Sequence, residues 1–115
     1  MEGYKGLVVY QKSYLLALGI YEKTKQMPKE EQYGLTSQIR RAASSIPANI
    51  AEGYGRRENR EDYKRFLIMA KGSCYEVMTW IDFCADMGYM DEGWRKEMLV
   101  KYDEIARMLY GLTSK

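Results

Sequence analysis

The sequence predicts an all-α fold: an antiparallel up-and-down bundle of four helices, in a single domain over residues 1–115. Three observations predict it. Apolar side chains recur every three to four residues in four separate segments, which is the period of a helix face. Short breaks marked by Pro28, Gly53, Gly55, Asn59 and Gly88 separate those segments, and short connections force antiparallel neighbours. No segment carries the alternation that a half-buried strand needs.

The first helix is expected from about Leu7 to Gln26. Leu7, Tyr10, Tyr14, Ala17 or Leu18, and Tyr21 keep the helical period, while Val8, Val9, Leu15, Leu16 and Ile20 widen the stripe into a second apolar face. A helix that is apolar on two sides is buried twice, and in a small protein the second burial is a subunit contact. Gly19 costs about 1 kcal/mol in a helix interior and suggests the close approach of a neighbour. Pro28 stops the helix, because the residue before proline avoids the α region.

The second helix is expected from about Glu30 to Glu52, with Leu35, Ile39, Ala42, Ile46 and Ile50 as its stripe. Small residues around them, from Ala42 to Ala51, let a facing helix come close. Pro47 lies inside this pattern. It removes the amide that would reach the Ala43 carbonyl, so a kink is expected near Ala43–Ser44. Gly53 and Gly55 suit a left-handed cap.

Asn59 is the expected N-cap of the third helix, with Asp62 three positions on and Glu61 beside it in the first turn, where carboxylates complement the helix dipole. That helix, about Arg60 to Met87, carries Tyr63, Phe66, Leu67, Ala70, Cys74, Val77, Trp80, Ile81, Cys84 and Met87. Gly88 ends it. Asp91 caps the fourth helix, whose stripe is Trp94, Met98, Leu99, Tyr102, Ile105, Met108, Leu109 and Leu112.

At 115 residues and 46% hydrophobic content the chain supports one core and is not disordered. No apolar run approaches the ~18–20 residues that span a bilayer, and MEGYKGLVVY lacks the basic n-region of a signal peptide, so a cytoplasmic, membrane-free protein is expected. Cys74 and Cys84 stand ten residues apart on one expected helix. That is ~15 Å at ~1.5 Å per residue, beyond the ~7 Å a disulfide allows, so both read as buried thiols of a reducing compartment.

The chain has no histidine and only two cysteines, so it carries neither the Glu-x-x-His motif of di-metal bundles nor a zinc ligand set. No Gly-rich loop follows a strand, so there is no nucleotide fingerprint. No cofactor or metal is expected, nothing pairs catalytic groups, and a non-enzymatic protein is the reading.

A net charge of +2 does not describe a protein that coats nucleic acid, so any such role rests on where the charge lies. The densest basic set is Arg40, Arg41, Arg56, Arg57, Arg60, Lys64, Arg65 and Lys71. Arg40, Arg56, Arg57, Arg60, Lys64 and Arg65 are the candidate phosphate contacts, and Tyr54 is a candidate base-stacking ring. The plainer alternative is a solvated bundle end whose arginines pair with Glu52, Glu58 and Glu61. Of the eleven tyrosines, Tyr10, Tyr14, Tyr21, Tyr63 and Tyr102 fall on core stripes, whereas Tyr33, Tyr54, Tyr75 and Tyr89 are freer. Antiparallel pairing brings Arg41 within a turn of Glu76 and Asn49 opposite about Lys64. With Glu52, these form either a buried polar network across helices two and three that specifies register or assembly, or surface ion pairs worth about 0–1 kcal/mol each.

The segments QIRRAASSIPANIAEG, Gln38 to Gly53, and YKRFLIMAKGSCYEV, Tyr63 to Val77, resemble the two signature segments of a bacterial family, the four-helix-bundle or ribosomal RNA intervening-sequence proteins. VYQKSYLLALGIYEKT and MPKEEQYGLTSQIRR extend the resemblance over most of the chain. It implies an up-and-down bundle assembled into a homo-oligomeric ring, typically a pentamer. Some members are encoded inside insertions in large-subunit ribosomal RNA genes. A related bundle, the accessory protein of diversity-generating retroelements, partners a reverse transcriptase and nucleic acid through a basic surface. This chain departs from that relative in being barely basic. The expected partners are therefore a second copy of the chain, RNA or DNA, or a reverse transcriptase.

Overall fold

The computed structural model describes residues 3–114, so residues 1, 2 and 115, the ends of the expected domain, lie outside the described residues. The described residues form four α-helices and no strand: α1 (Val8–Lys23), α2 (Leu35–Gly55), α3 (Arg60–Asp86) and α4 (Glu92–Thr113). Short 3-10 turns occupy Gly3–Gly6, Thr24–Gln26 and Lys29–Glu31.

Cross-helix contacts fix the topology. Ser45 meets Ser73 while Gly53 lies against Phe66, so α2 and α3 run antiparallel. Arg95 pairs with Asp82 while Lys71 reaches the Tyr110 ring, so α3 and α4 do as well. Lys12 bonds Glu104, and a cleft joins Gly19 to Trp94, which makes α1 antiparallel to α4. The result is an up-down-up-down bundle with extents of 45 × 24 × 23 Å. Its broadest seam is α2 against α3, and its thinnest is α1 against α4.

The core collects Ile20 of α1, Ile39, Ile46 and Ile50 of α2, Leu67, Cys74, Val77 and Ile81 of α3, and Tyr102, Ile105 and Leu109 of α4, all fully buried. The stripes expected for α2, α3 and α4 are largely those that face inward. Met87 is the exception, at 57% exposed, because it caps α3 and lies outside the last full turn.

Helix ends follow local chemistry. The Asn59 side chain accepts the Asp62 amide at 3.2 Å, and Asp91 accepts the Trp94 amide at 2.8 Å, as N-caps do. Gly88 takes a positive φ of 80°. Its amide reaches the Ala85 carbonyl while that of Tyr89 reaches Cys84, the paired bonds of a Schellman cap. Arg95 ties this turn together through Asp82, Asp86 and Glu92.

Four expectations are corrected. First, α2 begins at Leu35 rather than Glu30. Glu31 instead sits in the preceding 3-10 turn, where its carboxylate accepts the Leu35 amide at 3.1 Å and the Tyr89 hydroxyl at 3.0 Å. That second bond stabilises the protonated phenol and raises its pKa.

Second, Gly53 and Gly55 do not cap α2 in a left-handed conformation; both lie inside it with negative φ. Gly53 is buried where α3 crosses, and a Cβ there would stand 3.0 Å from Phe66 Cβ.

Third, Tyr14 and Tyr21 leave the core. Ala17 of the expected stripe stays inward, and Val9, Ser13, Ile20 and Thr24 join it there, Ser13 and Thr24 satisfying their hydroxyls on the Tyr10 and Ile20 carbonyls. Fourth, Gly19 has no atom within 4 Å of where a Cβ would stand, so no intrachain neighbour explains it.

Pro47 is buried and α2 continues through it to Gly55. Near it, Ser44, Ser45 and Asn49 donate to the Arg41, Ala42 and Ser45 carbonyls, adding side-chain donors on either side of the Ala43 carbonyl, whose own backbone donor the proline removes.

Candidate interaction surfaces

The α2–α3 turn holds most of the predicted basic residues, but it divides them. Arg56 bonds Glu52 at 3.3 Å and approaches Asp62 at 3.7 Å. Arg65 meets the other oxygen of Asp62 at 3.5 Å. The two guanidinium groups also lie over the Phe66 ring, at 5.0 and 4.5 Å from its centroid. These two arginines are thus largely neutralised. Glu58 and Glu61 are not among the carboxylates that pair with Arg56 or Arg65 among the described residues.

Arg57 has no carboxylate partner among the described residues. It donates to the Tyr54 carbonyl at 3.0 Å and lies over the Tyr54 ring at 4.1 Å, so one face of that ring is already covered. Lys64, one turn into α3, also lacks an ion pair among the described residues, and Arg60 is exposed at the first position of α3.

Arg40 does not belong to this end. It precedes Arg56 by sixteen residues on the same helix, ~24 Å at ~1.5 Å per residue. Its Nε donates to Thr24 Oγ1 at 2.8 Å and its Nη2 to the Tyr21 carbonyl at 3.2 Å, with the guanidinium over the Tyr21 ring. It therefore joins α2 to the end of α1. Sequence spacing placed it beside Arg41 but had no means of showing that it turns the other way.

The proposed polar network does not form within the chain. Arg41 and Glu76 are both exposed, Glu76 accepts from Trp80 Nε1 on its own helix, and Asn49 donates to the Ser45 carbonyl of α2. Glu52 serves Arg56. The polar link that does cross α2 and α3 is Ser45 to Ser73, at 2.7 Å, which sequence spacing alone did not single out.

A second surface is apolar. Val8, Tyr14, Leu15, Leu18 and Tyr21 of α1 are each 42–68% exposed. At ~100° per residue they share one arc of the helix, opposite Val9, Ala17 and Ile20. Tyr14 stacks on Tyr10 at 5.9 Å, and Tyr10 meets Tyr4 edge-on at 5.0 Å, which extends the arc toward the N-terminal 3-10 turn.

The interior offers no obvious reactive group. Burial pushes the Cys74 thiol up to about 12 and the Cys84 thiol to about 11, so both stay protonated near neutrality. The Tyr102 hydroxyl is buried without a hydrogen-bond partner among the described residues, and burial raises its pKa as well. Among the described residues no group of three or more His, Cys, Asp or Glu is placed to hold a metal ion. No helix among them is long and apolar enough to cross a membrane.

Comparison with known proteins agrees with this architecture. No curated protein matches the chain. A crystal structure of a protein of unknown function from the S23 ribosomal protein family of Bacteroides thetaiotaomicron superposes with a TM-score of 0.82. The two are 23% identical, over 94% of this chain and all of that one, so the likeness speaks for the fold. A family model for 23S rRNA-intervening sequence proteins matches residues 5–111, nearly the whole bundle and both signature segments. By that match the chain belongs to the 23S rRNA intervening-sequence protein family.

Proposed function

We propose that the protein is a non-enzymatic, self-assembling scaffold of the cytoplasm, and that the outer face of α1 is its subunit contact. The exposed apolar arc carries this reading. Burying one leucine side chain contributes about 1.5–3 kcal/mol, so five large apolar residues in water represent a substantial unused term. Gly19 lies at the edge of this face, toward the cleft with Trp94 of α4, with no atom within 4 Å of where its Cβ would stand, and a close-packed neighbouring subunit gives that helix-interior glycine a purpose. If this arc meets a different face of the next copy, the contact is heterologous and gives a ring where the rotation between copies closes; the family resemblance favours five subunits.

Sedimentation tests it. The wild type is expected as a homo-oligomer at micromolar concentration. A Leu15→Asp, Leu18→Asp variant is expected as a folded monomer, because these side chains are 68% and 53% exposed within the subunit. A monomeric wild type would overturn the reading.

The α2–α3 turn supports a second role, contact with RNA or DNA. Its supporting observation is that Arg57 and Lys64 keep no carboxylate partner among the described residues while Arg56 and Arg65 do. Replacing Arg57 and Lys64 with Ala is expected to weaken single-stranded RNA binding. It should also flatten the slope of log affinity against log salt by about 1.4, at ~0.7 per phosphate contact. An unchanged slope would count against nucleic acid at this end.

A further inference from the structure

We propose, on the reading of the α1 arc as a subunit contact, that the surface receiving it is the outer face of α3 in a second copy of the chain, so that copies assemble head to tail.

The outward positions of α3 form a second apolar stripe. Ile68, Tyr75 and Phe83 are 54%, 55% and 52% exposed. With Gly72 and Thr79 they share one arc of the helix at ~100° per residue, opposite Cys74, Val77 and Ile81. Of the exposed residues from Ile68 to Phe83, only Glu76 is charged. Gly72, in the middle of the stripe, has no atom within 4 Å of where a Cβ would stand, the same open setting as Gly19. Both α1 and α3 pack on α2 and α4, so they stand on opposite corners of the bundle and neither stripe covers the other within one chain. If the α1 arc met itself across a two-fold axis, the α3 stripe would stay in water; one head-to-tail contact covers both.

Direction and height agree. In an up-down-up-down bundle α1 and α3 run the same way. Lys12 pairs with Glu104, and Glu104 lies on α4 between Arg95, which pairs with Asp82, and Tyr110, whose ring lies against Lys71. The middle of α1 therefore stands level with the stretch of α3 between Lys71 and Asp82. A rotation about an axis parallel to the bundle then lays the two stripes side by side and parallel, with no slide along the helices. The same arrangement brings their N-terminal ends together, and the charges there are complementary. Lys5, just before α1, is exposed with no carboxylate partner among the described residues, and Glu61, in the first turn of α3, is exposed with no cationic one. A cleft of about 600 Å³, lined by Tyr4, Tyr10, Tyr14 and Leu15 among others, opens at this end of α1 and gives Ile68 of the next copy a hole to enter.

The test is complementation between two monomers. A Tyr75→Asp, Phe83→Asp variant is expected to sediment as a monomer, as is the Leu15→Asp, Leu18→Asp variant, each with the helical circular-dichroism signal of the wild type. Each has lost one face and kept the other. Mixed in equal amounts, they are expected to form a dimer holding one copy of each, because one complete contact remains between them. If the α3 variant assembles like the wild type while the α1 variant is monomeric, or if the two monomers ignore each other on mixing, the assignment to α3 is overturned and the α1 contact stands. If the α1 variant still assembles, that contact falls and this one with it. Crosslinking gives a second readout that needs no disruptive charge. A Leu15→Cys, Tyr75→Cys chain treated with a short bismaleimide is expected to give a ladder of linked copies, with the buried Cys74 and Cys84 thiols unreacted. A ladder no stronger than the product of Leu15→Cys alone overturns the pairing.

Discussion

Leu67→Ala is expected to destabilise the protein by about 2–5 kcal/mol, the range for truncating a large aliphatic side chain in a core that only partly collapses around the cavity. Leu67 is fully buried where α3 faces the rest of the bundle. At about 4 °C per kcal/mol for a domain of this size, the melting temperature should fall by on the order of 10 °C or more. The neighbouring Ile68 is the control. It is 54% exposed, and its truncation is expected to cost the isolated subunit no more than about 0.5 kcal/mol, the usual range for a surface position. Thermal denaturation of the two variants at one protein concentration checks the register of α3. Equal losses would contradict that register. A loss at Ile68 that deepens on dilution belongs instead to the subunit contact proposed for the outer face of α3.

Gly53→Val is expected to cost about 2–3 kcal/mol through overpacking. A Cβ at this position would stand 3.0 Å from Phe66 Cβ and 3.3 Å from the Tyr63 carbonyl oxygen. Neither is the far end of a flexible side chain, so α3 itself has to move. Even Gly53→Ala is expected to lose stability, although alanine favours a helix interior over glycine by about 1 kcal/mol. Gly55, two residues on, meets nothing within 4 Å, so Gly55→Ala is expected to gain up to about 1 kcal/mol from propensity alone. Denaturant titrations of the three variants check the contrast in sign. A gain at Gly53 would show that the α2–α3 seam yields more easily than its geometry implies.

Much of the fold was legible in the chain because each signal was local. The Asn59 and Asp91 caps depend on amides three residues away, and Gly88 ends α3 through carbonyls on the preceding turn. The stripes of α2, α3 and α4 were readable because each of those helices has one dominant apolar face. The α1 stripe was misread because that helix has two. Periodicity measures how apolar side chains are spaced, and it is indifferent to which of two stripes meets the bundle. The inward face of α1 even carries Ser13, with Thr24 buried just past its end, and composition alone would have placed both in water.

The candidate sites were less legible for the same reason. Arg40 and Arg41 are adjacent in sequence, yet one binds Thr24 and Tyr21 of the preceding segment while the other points to solvent. Arg56 and Arg65 looked like members of one basic cluster until Asp62 was found between them. Gly53 looked like a cap because it precedes a turn; it is a contact, because α3 crosses there.

By itself the sequence determined the four helices, their order, most of their caps and the family, since hydrophobic period, capping chemistry and signature segments all act over neighbouring residues. Only the tertiary structure decided which face of α1 stays in water and which arginines are neutralised. Those outcomes depend on which side chains from distant segments occupy the same few ångströms, and on the fact that burial, unlike period, is a property of the assembled bundle.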